Sequence, residues 1–174
     1  MPAIFTIGHS TRQIEDFIAL LQAHGVQELI DIRTVPRSRT NPQFNWDILP
    51  RSLKPAYIGY LHMGELGGLR HPRPDSPNTA WRNASFRGYA DYMQTPEFTE
   101  AIARLIGLGH ERQIAIMCAE AVPWRCHRSL VADALTARDI AVEHIMSSTK
   151  RQPHKLTPFA QVENTRVLYP GLIS

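Results

Sequence analysis

The sequence predicts a single α/β domain over residues 1–174, built on a mainly parallel sheet of about five strands with helices on both faces, in three layers. Three observations lead there. Strand-like and helix-like segments alternate along the chain with no internal repeat and no low-complexity linker, and strands separated by helices pair in parallel. The segment QIAIM at 113–117 is apolar on successive residues, as in a strand covered on both sides. A chain of 174 residues also buries roughly 70% of the surface it exposes when unfolded, so it needs no disulfide framework.

The elements follow in order. AIFTIGHS reads as a first strand ending at Gly8-His9-Ser10. Ser10 with Gln13 forms a capping-box pattern, and Ile14, Phe17, Ile18 and Leu21 keep helical spacing up to a stop at Gly25. ELIDIR is the second strand, a short helix is expected near Trp46 to Leu53, and AYIGYL is the third strand. Residues 62–85 then form a long loop rich in Gly, Pro and Arg, a length that inside a domain marks function or disorder. Phe86, Tyr89, Ala90 and Met93 mark a helix. Thr95-Pro96 opens another, with Phe98, Ile102, Leu105 and Ile106 on one face. After the fourth strand at 113–117, Leu130, Val131, Ala134 and Leu135 give a helix and AVEHIM a fifth strand. The tail, 147–174, is expected to pack on the domain, with a short helix after Thr157-Pro158 or a strand at TRVLY.

Composition narrows the function. Net charge is only +3, but sixteen of the nineteen basic residues are arginine, a planar and permanently charged group suited to phosphate and carboxylate. Genome composition alone would produce the same bias. From Asp31 to Arg87, however, nine basic residues face four acids, which makes this the electropositive section. Two cysteines, no apolar run approaching 20 residues and no signal-peptide pattern predict a reduced, soluble, cytoplasmic protein with free thiols and no membrane association.

In an open parallel sheet, ligands sit at the carboxyl ends of the strands. That rule collects His9 and Ser10, then Asp31 and Arg33 with Arg37 and Arg39 just beyond, then His62, then Cys118 and Glu120. The stretch MCAEAVPWRCHRS at 117–129 adds Cys126, His127 and Arg128. A helix starting between Pro123 and His127 would turn unpaired N–H groups and its positive end toward an anion. Arg33, Arg39 and Arg128, helped by Arg125, are therefore expected to bind a phosphate-bearing small molecule or nucleotide. The competing reading pairs Arg33 and Arg128 internally with Asp31 and Glu120.

Cys118 is the sharpest chemical candidate, because a thiol beside a helix N-terminus and arginines is held as thiolate. His127 would then act as acid or base, with Glu120 orienting it or working alone. The plainer reading packs both Cys118 and Cys126 into the core. Asp31 and Glu120 also raise a two-carboxylate mechanism on a glycosidic bond. A metal held by Cys118, Cys126 and His127 with His9 or His62 is a third reading, against which the seven residues between the cysteines speak. The residues name no cofactor and fix no oligomeric state. Walker, dinucleotide-binding and nucleophile-elbow motifs are absent, and the C-x5-R phosphatase pattern fails because Trp124 stands at the arginine position. The non-catalytic alternative is a module binding nucleic acid or nucleotide through Arg33 to Arg87, with Trp81 and neighbouring aromatics stacking on bases.

TIGHS near the start, the helix with Phe17 and Leu21, LIDIRTVPRSR, the block from Tyr60 to Gly68 and MCAE with CHRSLVA together resemble the domain of unknown function 488 family, in the same order and over nearly the whole chain. The resemblance implies a compact α/β domain found mainly in prokaryotes. It singles out Gly8, His9, Ser10, Asp31, Arg33, Pro36, Ser38, Arg39, His62, Leu66, Gly67, Gly68, Cys118, Glu120, Cys126, His127 and Arg128 as family-type positions. It assigns them no roles.

Overall fold

The computed structural model describes residues 2–171. Five strands, β1 (Ile4–Gly8), β2 (Glu28–Asp31), β3 (Gly59–His62), β4 (Ile114–Cys118) and β5 (Val142–Ile145), run parallel in the spatial order β3-β2-β4-β1-β5. A sixth, β6 (Arg151–Pro153), joins the β5 edge antiparallel. Successive side chains on a strand point to opposite faces, and the core divides accordingly. Ile4, Ile30, Ile114, Ile116 and Val142 pack with α3 (Ala84–Tyr92), α4 (Pro96–Glu111) and α5 (Arg128–Thr136). Phe5, Ile7, Leu29, Ala115 and Met117 pack with α1 (Ile14–Ala23) and α2 (Leu49–Leu53). The three layers are therefore those expected, and β1 and β4 at the centre are buried along their whole length.

Several local expectations are corrected. The capping box does not form: Ser10 is left-handed (φ 51) and its N–H is taken by the Ala119 carbonyl. Helix α1 starts at Ile14 after an uncapped Gln13, with Glu15 and Asp16 in its first turn complementing the helix dipole. Gly25 ends it as expected, at φ 67. β3 begins at Gly59 rather than Ala56, because Lys54–Ala56 form a 3-10 turn and Tyr57 follows in the left-handed region. The short helix of this section is α2, and a 3-10 turn at Pro42–Phe44 precedes it.

The tail has strands where a helix was one expectation. Thr157 donates both its N–H and its hydroxyl to the Asp133 carboxylate, which fixes a turn there, and β7 (Gln161–Glu163) pairs with β8 (Arg166–Leu168) across a left-handed Asn164. The expected strand at TRVLY is β8. The last three residues of the tail lie outside those described. β6 was not anticipated, since its three residues are exposed and carry no apolar alternation.

The 62–85 loop is fixed to the domain. Asp91 of α3 accepts from the Arg73 N–H, the Ser76 hydroxyl and the Asn78 amide, while Asn78 in turn accepts from the Tyr169 N–H. Asn83 caps α3 by accepting from the N–H groups of Ser85 and Phe86.

Candidate active site

The central strands converge on Cys118. Gly8 and Cys118 are register partners, and the pairing continues one step past the strands, with the His9 N–H donating to Cys118 O at 2.9 Å and the Ser10 N–H to Ala119 O at 2.9 Å. A Cβ at position 8 would sit 1.9 Å from the Glu120 carbonyl oxygen, so only glycine lets the segment after β4 fold back over β1. That segment carries a 3-10 turn, Pro123–Arg125, before α5 starts at Arg128 with His127 as its N-cap. Cys126 thus precedes the helix rather than sitting in its first turn.

A cavity of about 460 Å³ opens at these strand ends. Of the residues the sequence singled out, it brings together His9, Arg33, Cys118, Glu120, Cys126 and His127. Arg37 and Arg125 join them, both exposed and neither in an ion pair among the described residues. Val35, Leu69 and Phe86 form an apolar wall that sequence reasoning did not assign to the site, and Thr34, Ser38 and Ser85 add hydroxyls. From the long loop, only Gly68, Leu69 and Ser85 reach the cavity.

Asp31, Ser10, His62, Arg39 and Arg128 do not line it, and for most of them the reason is visible. Asp31 is fully buried and holds Arg33 in a two-pronged pair, Nε to Oδ1 at 2.9 Å and Nη2 to Oδ2 at 2.7 Å, while the Tyr60 hydroxyl donates to Oδ2 at 2.6 Å. Its oxygens are taken by Arg33 and Tyr60, and it does not face Glu120 across the cavity. Burial first, then this carboxylate, raises the Tyr60 phenol far above its ordinary value. His62 is spent on the Arg33 carbonyl at 2.7 Å, Ser10 on the backbone turn described above, and Arg39 is exposed away from the cavity.

Arg33 closes the β2 end and also faces the cavity. Its Nη2 donates to the Phe44 carbonyl and its Nη1 lies 3.4 Å from His9 Nε2. His9 stacks on Phe44, with ring centroids 4.3 Å apart, and its Nδ1 donates to Ser10 O. Burial, reinforced by the Arg33 charge, brings its pKa down to about 4. It is a neutral acceptor toward Arg33.

Arg128 behaves differently. It is wholly buried behind the loop, donating to Thr6 Oγ1 at 3.0 Å and to the carbonyls of Glu120 and Ala121 at 3.1 and 2.8 Å. No carboxylate lies within ion-pair distance of it among the described residues, and its Nε has no partner. A buried cation without a counter-anion is costly. The Cys118 thiol feels that charge. Burial alone pushes the Cys118 thiol up, but a hydrogen bond from the Cys126 thiol, the Arg128 guanidinium and a backbone hydrogen bond at Glu120 together bring it below the ordinary value. Cys126 moves the other way, raised by burial and by its hydrogen bond to Cys118. Both cysteines are free, and Cys118 Sγ lies 3.5 Å from the Glu120 carbonyl, to which its thiol donates.

His127 acts on the second thiol rather than the first. Its Nε2 donates to the Ile32 carbonyl at 2.9 Å, which leaves Nδ1 bare 3.5 Å from Cys126 Sγ. Burial lowers its pKa to about 4, so it is a neutral acceptor. Gly68 is required beside it, since a Cβ there would come within 2.6 Å of Nδ1. The expected hydrogen bond between His127 and Cys118 does not form among the described residues, and His127 lies beside Cys126 instead. Glu120 is exposed at the rim, its carboxylate accepting from the Val122 N–H. Among the described residues no group of three or more His, Cys, Asp or Glu is placed to hold a metal ion.

Fold and site together define an α/β domain with a thiol pair at the carboxyl end of its central strands. The chain belongs to the family described as domain of unknown function DUF488, whose match spans residues 13–135. The TIGHS block and the tail fall outside that span. No curated relative and no solved structure matches the chain. No helix is long and apolar enough to cross a membrane among the described residues.

Proposed function

We propose that this protein is a thiol-dependent enzyme, a hydrolase or transferase that acts on a phosphate-bearing small molecule or nucleotide at the carboxyl ends of the strands. The observation that carries the reading is the placement of Cys118, tuned toward thiolate by Arg128 from behind, on the wall of a cavity that Arg33, Arg37 and Arg125 also face. Cys118 Sγ is the nucleophile. Arg37 and Arg125, exposed on the cavity and in no ion pair among the described residues, hold the anionic group. Glu120, beside the thiolate and open to solvent, carries the proton to the leaving group. Val35, Leu69 and Phe86 suit the apolar or planar part of the ligand, and the volume falls in the range of roughly 300–1,000 Å³ common for small-molecule sites. A thiolate next to a second thiol stays functional in a reducing compartment, so we place the protein in the cytoplasm.

The nucleic-acid alternative has less support. Arg70 lies over the Tyr92 ring and donates to three backbone carbonyls, Arg73 pairs with Asp75, and Arg87 donates to Trp81 O. Trp81 packs against Phe86, Phe159 and Tyr169, and Tyr89 is a core residue.

The test is protection. Native protein labelled with iodoacetamide should carry the label on Cys118, and inorganic phosphate or a nucleoside monophosphate at about ten times its dissociation constant should slow labelling by about ten-fold, by mass action. Arg37→Ala and Arg125→Ala should abolish the protection without slowing the labelling itself. Labelling of Cys118 that no phosphate compound slows would overturn the assignment of an anionic ligand.

A further inference from the structure

Two thiols in one cavity ask more than a nucleophile needs. Cys118 comes from the end of β4 and Cys126 from the turn before α5, and both face the same 460 Å³ space. Cys126 is buried, yet its sulfur meets polar atoms. Its Sγ accepts from the Arg128 N–H at 3.5 Å, lies 3.5 Å from Nδ1 of His127, and shares the cavity wall with Cys118. The second thiol therefore sits between a nucleophilic sulfur and a base.

We propose that Cys118 and Cys126 are a hydroperoxide-oxidised dithiol, with Cys118 as the attacking sulfur and Cys126 as the resolving one, closing to an intramolecular disulfide on the cavity wall. The inference rests on the reading of Cys118 as a nucleophile. It adds an oxidant class, a second reacting atom and an off state for the proposed enzyme.

The steps balance. The Cys118 thiolate attacks the distal oxygen of ROOH; the S–O bond forms, the O–O bond breaks, and the departing alkoxide takes a proton from water to leave as ROH, giving Cys118 sulfenic acid. Cys126 then gives its proton to His127 Nδ1 and attacks Cys118 Sγ. The S–S bond forms as the S–O bond breaks, and the leaving hydroxide takes the proton back from His127 and departs as water. One thiolate, one thiol and one hydroperoxide become one disulfide, one alcohol and one hydroxide, which takes up the proton released when Cys118 ionised. His127 is suited to this transient role because it is neutral, with Nε2–H anchored on Ile32 O so that Nδ1 stays aimed at the sulfur. A dithiol reductant reverses the change by exchange.

The sequence offers a direct readout. Trypsin cutting after Arg112, Arg125 and Arg128 places the two cysteines in separate peptides, 113–125 and 126–128, so a disulfide between them joins the two in a non-reducing digest. Native protein titrated with hydrogen peroxide should yield that linked peptide as the main product and return to the free peptides with dithiothreitol. In Cys126→Ser the reaction should stop at the sulfenic acid, and dimedone adducts on Cys118 should rise by about ten-fold over wild type. Accumulation of sulfenic or sulfinic acid on Cys118 of the wild type with Cys126 still alkylatable would overturn the pair, while phosphate-protected labelling of Cys118 would still stand. Disulfides formed only between molecules, or thiols untouched by peroxide in the folded protein, would overturn it as well. The wild-type digest is decisive even if the serine variant folds poorly.

Discussion

Arg33 and Arg128 are both buried guanidiniums at the carboxyl side of the same sheet, one beside β2 and one beneath the loop after β4. Their surroundings differ in one respect. Arg33 has its anion, Asp31, in a two-pronged pair at 2.7 and 2.9 Å, and that region is electrostatically closed. Arg128 has three neutral acceptors and, among the described residues, no carboxylate in ion-pair range, and its charge lowers the Cys118 thiol. The same residue type thus builds structure where its charge is cancelled and favours the ionised form of a neighbouring thiol where it is not. Chemistry is to be sought at the uncancelled charge.

Acid should give the largest effect, because both regions exclude a charged imidazole. Burial, as the leading cause, lowers His9 and His127 from 6.5 to about 4, and His144, which is hydrogen-bonded to the Thr6 that Arg128 holds, to about 3. The folded protein therefore binds fewer protons than the unfolded chain below about pH 6.5. The stability these groups contribute is complete above that pH and falls as pH drops through 4, with unfolding taking up as many as three protons. Urea midpoints measured from pH 7 to pH 4 should fall steadily, and midpoints that stay level would show that these histidines are not held neutral.

Separating the two regions comes next. Asp31→Asn strands the Arg33 charge and should cost about 3–5 kcal/mol in urea unfolding, while the folded fraction keeps wild-type Cys118 reactivity. Arg128→Met should do the reverse in emphasis. It leaves two buried carbonyls and the Thr6 hydroxyl short of a donor, a loss of about 1–3 kcal/mol, but it should slow Cys118 alkylation at neutral pH by about ten-fold. Equal effects of both variants on alkylation would erase the distinction between a paired and an unpaired cation.

Much of this geometry was legible in the sequence, and some signals were present but unused. The strand-end rule found His9, Arg33, Cys118 and Glu120 because a parallel sheet brings those ends together whatever the loops do, and the stretch at 117–129 added Cys126 and His127. Asp31 and Arg33 stand two apart on extended chain and so share a face, which favoured their pairing. Arg128 leads Val131, Ala132 and Leu135 at helical spacing, which places it on the buried stripe of α5, whereas Arg125 on the preceding 3-10 turn faces the cavity. The anchoring of the 62–85 loop was not legible, since it depends on Asp91 gathering three partners from 13 to 18 residues away. Nor was β6, whose exposed residues have no periodic pattern. The pairing of Cys126 with His127 instead of Cys118 with His127 turns on the 3-10 turn that delays the helix, a distinction of two residues that sequence patterns do not resolve.

The pH dependence of Cys118 alkylation in the folded protein tests the central claim most directly. An uncancelled Arg128 charge and the Cys126 hydrogen bond predict a rate that reaches its plateau with a midpoint below the ordinary thiol value near 9, and a midpoint displaced upward in Arg128→Met. A rate still climbing through pH 9 in the wild type, or no labelling until the protein is unfolded, would contradict the account.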